Sequence, residues 1–258
     1  MALGPRSSPI QRSMQAPIIV ATYNIHRAVG GDRRQDPLRI AETIAALDAD
    51  IVALQEVETP ARPEPLILLQ RLLEHGYEAL LGHTMRRGPH HYGNVLLSRL
   101  PITGHRLIDL SQPGREPRGL IDARLRLGPD STAPVLRCLA THLGLRPWER
   151  RRQIAQVSAA LDARAPASAA AELARTVLLG DFNEWRRGHS RLAPLTRLLS
   201  PVPNRASFPS ILPLLALDRI WHGSGLSLEH LEAVRTASTR AASDHLPVRA
   251  RLRLRLTG

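Results

Sequence analysis

Ser243-Asp244-His245 sets a carboxylate beside a titratable imidazole, just before the last strand-like run of the chain. Such a pair can bring a cation-binding oxygen and a proton-transfer group into one pocket. A turn aspartate followed by a surface histidine is the plainer reading. Glu56 closes the apolar run 51–55, and a carboxylate held at a strand end suits a hard divalent cation. Glutamates at strand ends are also commonly just solvated. Asp181 and Asn183 stand two apart in Gly180-Asp181-Phe182-Asn183, after another apolar run. Across a turn both can face one cavity, with Asp orienting or deprotonating a water and Asn donating to an anionic oxygen without adding charge. An Asx turn uses the same residues. His142 ends the run 134–141 and could donate a hydrogen bond or a proton, or serve as a satisfied structural histidine. Arg118 enters a strand after Glu116-Pro117, where a guanidinium could meet an anion.

These groups sit where apolar runs begin or end, so strands must carry them. Residues 18–24 read as a buried strand ending at Asn24. A Gly-Gly loop with Arg27, Arg33 and Arg34 follows. Asp36-Pro37 then reads as an N-cap with Pro at the first helical position, and Ile40, Ile44 and Leu47 share one face. A helix over 65–75 is closed by Gly76. Strands are expected at about 77–81, 93–98, 102–109, 119–127 and 134–141. Pro147 opens a helix with Ile154, Val157 and Leu161 on one side, and the Ala-rich stretch 163–171 reads as its frayed end or a surface loop. Residues 176–181 form a strand, and a short helix is expected near 191–199. Further strands fall near 217–222, 230–235 and 247–255. In the last, Arg and Leu alternate, which turns Leu inward and Arg outward. Strands outnumber helices, so sheets packed face to face with helices outside are expected.

At 258 residues the chain can bury a large single core. Residues 17–258 read as one domain, and residues 1–16 as a disordered leader in which Met14 could be the true start. The leader lacks the apolar segment of a secretory signal, and no run approaches the roughly 18–20 apolar residues of a membrane span. With the single Cys138, expected to pack as a small core residue, this points to a cytoplasmic monomer. Net charge is +12, yet all 35 basic residues are Arg. That skew fits a GC-rich genome as well as it fits a surface for anionic substrates. Aromatics, at 3%, supply few platforms for stacking single-stranded bases, although Trp148 and Trp185 are placed to line a cleft rim.

Taken together, Asn24 in TYNIH, LQEV at Glu56, Thr141-His142-Leu143, GDFN at Asp181, Leu217-Asp218-Arg219-Ile220 and SDHLP at Asp244 resemble the endonuclease/exonuclease/phosphatase superfamily of metal-dependent phosphoesterases. The six stations stand in that family's order across residues 18–252, and Asn-Ile-His with Gly30-Gly31 looks closest to a bacterial branch. The resemblance implies an α/β (α+β) fold, a four-layer sandwich of two mixed β-sheets flanked by helices, with the site at one edge. It implies that Glu56 and Asp244 hold Mg²⁺, or Mn²⁺, and that His142, Asp181, Asn183, Asp218 and His245 are catalytic. Asn24 would bind substrate, and Arg118, read from its own place at a strand entry and not from the resemblance, is the further substrate-binding candidate. Asp218 is the residue expected to hydrogen-bond His245, and a carboxylate there would fix the ring tautomer and raise its basicity.

The implied activity is hydrolysis of a phosphodiester by in-line attack of water, with nucleic acid, phospholipid or a small phosphodiester as substrate. A phosphomonoesterase acting on a small metabolite is the alternative within enzymes. Dinuclear calcineurin-like phosphoesterases need a strand-end Asp-x-His and a Gly-Asn-His, where this chain has Asn24-Ile25-His26 and Gly93-Asn94-Val95. A catalytically inactive scaffold for anionic ligands should have lost one of Glu56, Asp181, Asp218 or His245, and all are present.

Overall fold

The computed structural model describes residues 2–3, 16–60, 67–162, 167–186 and 191–255. In chain order its elements are β1 (Ala2–Leu3), β2 (Ile18–Asn24), α1 (Pro37–Ala46), β3 (Ile51–Pro60), α2 (Ile67–Glu74), β4 (Glu78–Arg87), β5 (His90–Ser98), β6 (Ile102–Asp109) and β7 (Gly119–Arg126). They continue as β8 (Val135–His142), α3 (Pro147–Leu161), α4 (Ala167–Ala174), β9 (Thr176–Asp181), α5 (Ala193–Thr196), β10 (Ser200–Pro201), β11 (Asp218–His222), β12 (Leu226–Ala233), α6 (Ala237–Ala242) and β13 (Val248–Leu254).

The strands form two mixed sheets, β1-β4-β5-β3-β2-β13-β12 and β10-β11-β9-β8-β7-β6. Alternation along β2 shows how they stack. Ile18 and Val20 face the core between the sheets, while Ala21 and Tyr23 face the opposite way, onto the layer that holds α1. The inter-sheet core continues through Ile51, Leu96, Ile121, Cys138, Leu179 and Ile220. On the far side of the second sheet, Leu139, Leu178 and Trp221 pack against Ile154, Val157 and Leu195 of α3 and α5. The result is helix, sheet, sheet, helix: the four-layer α/β sandwich.

Local chemistry sets the helix starts. The Asp36 carboxylate accepts from Arg39 N at 3.0 Å with Pro37 behind it, so α1 begins there and buries Ile40, Ala41 and Ile44. Thr236 caps α6 by accepting from Thr239 N at 3.1 Å. The Ala-rich stretch is a helix in its described part, α4, and not a loop; alanine carries the strongest helix propensity of any residue. Residues 163–166 of that stretch, residues 65–66 of the second helix, and residues 1 and 4–15 of the expected leader lie outside the described residues. Ala2–Leu3 pair antiparallel with Ala79 and Leu80. The hairpin β4–β5 is longer than expected, and β12 starts four residues before the expected 230.

Many arginines are engaged inside the fold. On β13, Arg249 pairs with Glu232 at 2.6 Å, and Arg251 and Arg253 both pair with Glu229 of the neighbouring β12. The fully buried Asp122 receives Arg137 at 2.8 Å, Arg106 at 2.7 Å and Arg124 at 3.1 Å. Burial raises the Asp122 pKa, but the guanidiniums outweigh it and hold the carboxyl below its ordinary range. These paired arginines are neutralised by their carboxylates and serve the fold, so the net charge of +12 is carried by the others. Among the described residues no helix is long and apolar enough to cross a membrane.

Candidate active site

Strand pairing brings the polar stations together. β2 runs parallel to β3 with Asn24 opposite Gln55, and β8 runs parallel to β9 with His142 opposite Asp181. β11 lies antiparallel to β9, with Asp218 opposite Asp181. The C-terminal ends of two parallel pairs thus open at the same edge of the sandwich. Across the two sheets, Asn24 Nδ2 donates to Asp181 Oδ2 at 3.1 Å and to Glu56 Oε1 at 3.2 Å. Ser243 Oγ donates to Asn24 O at 2.7 Å, which ties the loop carrying Asp244 and His245 to the end of β2.

A cleft of about 490 Å³ opens there, lined by Asn24, Glu56, Arg118, His142, Asp181, Asn183 and His245. Asp218 lies buried behind His245. Asp244 is absent from the lining. Its carboxylate is 43% exposed and 3.7 Å from His26 Nδ1, while its carbonyl accepts from Ser210 N at 2.7 Å. Arg27, Arg87, Tyr92, Glu116, Leu145, Trp185, Phe208, Leu215 and Leu217 complete the wall. Of these, Tyr92, Glu116, Phe208 and Leu215 carry no signal in the sequence, because their neighbours follow no motif.

Glu56 reaches the cleft through a backbone irregularity. The β3–β5 register shifts between Leu54 and Val57, and Glu56 has φ +58°. Such a bulge re-aims a side chain that strict alternation would send to a packed face. Asn183 also sits in the left-handed region, at φ +51°, which asparagine tolerates better than most residues. Its N–H donates to Asp181 Oδ1 at 2.9 Å. The Asx turn is therefore real, and it holds Asp181 with Oδ2 toward Asn24.

The two histidines are opposite in character. His245 Nδ1 donates to Asp218 Oδ2 at 2.8 Å, and Ser207 Oγ donates to the same oxygen at 2.5 Å. Burial alone would disfavour the charged ring. The Asp218 carboxylate, helped by Asp181 and Asp244, outweighs it and lifts the His245 pKa to about 10. Asp181 is pushed up to about 6, first by burial and then by the nearby Asp218 charge. His142 goes the other way: burial, Arg118 and His245 together hold it well below the ordinary imidazole value.

Arg118 also decides the His142 tautomer. Its Nη1 lies 3.0 Å from His142 Nδ1, and arginine cannot accept a hydrogen bond. Nδ1 must therefore be the acceptor, which leaves the ring proton on Nε2, 3.5 Å from Asp181 Oδ2. Asn183 Nδ2, which donates one N–H to Leu143 O at 2.9 Å, stands 3.2 Å from the same nitrogen, and the shorter contact from the charged guanidinium outweighs it. His142 is thus a neutral ring presenting N–H to the cleft. Arg118→Leu should release this arrangement, raising the His142 pKa and letting the Nδ1–H tautomer appear, with turnover falling on the order of tenfold to a hundredfold. Long-range ¹⁵N–¹H imidazole spectra report the tautomer directly. An Nδ1–H ring in the unsubstituted protein would contradict the assignment.

The donor set suits a hard cation. Among the described residues only Asn24 hydrogen-bonds Glu56, and it does so at Oε1, leaving the second oxygen available in the cleft. Oxygen donors of Asp181, Asp218 and a nitrogen of His245 also lie within 4.8 Å of one another. There, however, the protonated His245 already neutralises Asp218, so that trio reads as an acid–base pair rather than a cation cage.

Comparison with known proteins agrees with this architecture. The sequence is 29% identical over 251 residues to the uncharacterized protein YbhP of Escherichia coli (strain K12), covering 91% of this chain and 96% of that one. The endonuclease/exonuclease/phosphatase of Beutenbergia cavernae DSM 12333 superposes with a TM-score of 0.74 at 24% identity, over 93% of this chain and 72% of the other. ANGEL2, a 2',3'-cyclic phosphatase solved with adenosine-2',3'-vanadate, superposes with a TM-score of 0.70 at 16% identity, over 94% and 97%. At these identities the two structures speak for the fold. The sequence model of the Endonuclease/Exonuclease/phosphatase family matches residues 21–245, nearly the whole described sandwich, and the chain belongs to that family.

Proposed function

We propose that the protein is a divalent-metal-dependent hydrolase of a phosphodiester, acting as a cytoplasmic monomer with Mg²⁺, or Mn²⁺ in its place. The observation that carries this reading is the Asp218–His245 pair, 2.8 Å apart, facing the cleft in which Asn24 ties Glu56 to Asp181. Glu56 is the residue to hold the cation, with Asp244 adding a further carboxylate charge. The chemistry a divalent cation supplies at such a donor set is neutralisation of the charge that grows on the phosphate oxygens.

The remaining residues divide the work. His245, protonated at neutral pH, clamps a non-bridging oxygen or supplies a proton to the leaving one. Asp181, with its pKa lifted to about 6, is deprotonated but still basic enough at pH 7 to orient and accept a proton from water. His142 offers an uncharged N–H, and Asn183 an amide, to phosphate oxygens. Arg27, Arg87 and Arg118 make the wall attractive to an anion.

The test is metal titration coupled to an activity screen. Glu56→Gln keeps shape and loses charge, so Mg²⁺ affinity should fall at least about tenfold while the thermal midpoint stays put. Substrates should include supercoiled plasmid, abasic duplex, phospholipids, a chromogenic bis-phosphodiester and a phosphomonoester. A 2',3'-cyclic phosphodiester belongs among them because the superposable ANGEL2 carries that description. Unchanged Mg²⁺ affinity in Glu56→Gln would move the cation elsewhere. Hydrolysis of the monoester alone would replace diesterase by monoesterase.

A further inference from the structure

Among the described residues nine large apolar side chains are exposed; two of them line the cleft and three more stand on one loop whose base lines it. Leu145 and Trp185 line one wall. Ile211, Leu212 and Leu214, exposed by 61–68%, form the tip of a loop whose base, Phe208 and Leu215, also lines the cleft. This loop is pinned. Leu215 N donates to Phe208 O at 2.8 Å and Ser207 N to Leu215 O at 2.9 Å. Ser210 holds Asp244 O through its N–H at 2.7 Å and Ser243 O through its hydroxyl at 2.7 Å. Three aliphatic side chains are thus fixed in water, braced against the segment that bears His245.

Their chemistry narrows the occupant. Isoleucine and leucine offer no flat face for bases and no polar atom for a phosphate backbone, so nucleic acid gains little from them. Hydrocarbon does. Basic groups surround the tip. The exposed Arg235 donates to Ile211 O at 3.2 Å, Arg240 is exposed beside the Ser210 anchor, and Arg27 and Arg87 line the cleft. From Arg205 to Leu217 the chain has no acidic residue. Aliphatic insertion points ringed by guanidiniums complement the acyl–headgroup boundary of an anionic bilayer.

We propose that the cleft mouth docks on a phospholipid surface, with residues 211–214 entering the acyl boundary and the surrounding arginines meeting headgroup phosphates. Docking in this orientation sets the cleft over the headgroups. That a headgroup phosphodiester is then hydrolysed rests on the function proposed above; the docking does not.

Vesicle co-sedimentation of the full chain tests it, using phosphatidylcholine alone and an equal mixture with phosphatidylglycerol. The chain should bind the mixed vesicles. The triple variant Ile211→Ser, Leu212→Ser, Leu214→Ser should bind on the order of a hundredfold more weakly, with an unchanged thermal midpoint and unchanged hydrolysis of a soluble diester. Should that variant not fold, Arg235→Glu with Arg240→Glu must still weaken binding to the mixed vesicles selectively. Absence of vesicle binding by the unsubstituted chain, or equal binding by the triple variant, overturns the proposal. So does a loop-dependent dimer, or loop-dependent capture of duplex DNA, in place of vesicle binding. Vesicle binding without hydrolysis of any diester counts against the enzymatic reading and leaves the docking intact.

Discussion

His245→Ala should lower turnover of a phosphodiester by roughly a thousandfold, within the usual range for a lost acid–base group. Asp218→Asn should lower it nearly as far. The double variant should be scarcely worse than His245→Ala, because Asp218 acts through the ring it orients. The geometry for this coupling is direct: one short hydrogen bond, from His245 Nδ1 to Asp218 Oδ2 at 2.8 Å. Asp218 Oδ1 is buried and has no partner among the described residues, so the imidazolium is the main compensation for that charge. The pH dependence has a definite sign. With its pKa raised to about 10, His245 is protonated through neutral pH and loses its proton only as pH climbs through that value. Activity that needs the charged ring should therefore fall on the alkaline side near 10. Asp218→Asn removes the largest of the carboxylate effects, so the same fall should move to lower pH. A double-mutant cycle with pH–rate profiles reads both effects. Additive losses, or an alkaline limb that stays put in Asp218→Asn, would show that the two residues work independently.

What could be read in the sequence follows from where information is local. Strands such as residues 176–181 and 102–109 announce themselves by β-branched or apolar runs, and a strand end is a good guess for a site residue. Asn24, His142 and Asp181 reach the cleft by that rule alone, since the parallel pairs β2/β3 and β8/β9 deliver their C-terminal ends to one edge. Glu56 shows the limit. Its position after residues 51–55 was legible, but its aim depends on a bulge and a positive φ that no local pattern encodes. Arg118 was legible only as an anion contact. Its grip on His142 Nδ1 joins residues 24 apart, one just before β7 and one at the end of β8, and depends on which rotamer the packed wall allows. Ser207, which shares Asp218 with His245, was invisible because a loop serine has no periodicity to betray it. Asp244 is the reverse case: a strong motif position whose side chain lies off the cleft lining. The Ala-rich stretch reads as a frayed helix end or a surface loop because it carries no apolar periodicity, while alanine's helix propensity decided the outcome at α4.

Gly180→Ala should be among the most damaging single substitutions outside the polar groups themselves. Gly180 pairs with Thr141 across the parallel β8–β9 ladder and has φ +153°, a conformation that side chains disfavour. A Cβ built there would stand 2.0 Å from Thr141 O and 2.9 Å from its carbonyl carbon. Those are backbone atoms in the middle of two packed sheets, so they cannot swing aside as a long side chain would. The strands must separate, and the next pair in register is His142 with Asp181. The glycine of the GDFN motif is thus what lets the catalytic candidates of two strands approach. A loss of at least about 3 kcal/mol is expected from strain and overpacking together. Turnover should fall even at temperatures where the variant stays folded, because the His142–Asp181 spacing changes. Gly104→Ala provides the contrast: no atom lies within 4 Å of a Cβ there, so it should be neutral or slightly stabilising. Urea denaturation of both variants, paired with diester turnover, decides the matter. Equal midpoints for the two would mean that the close approach of β8 and β9 at Gly180 does not set the site.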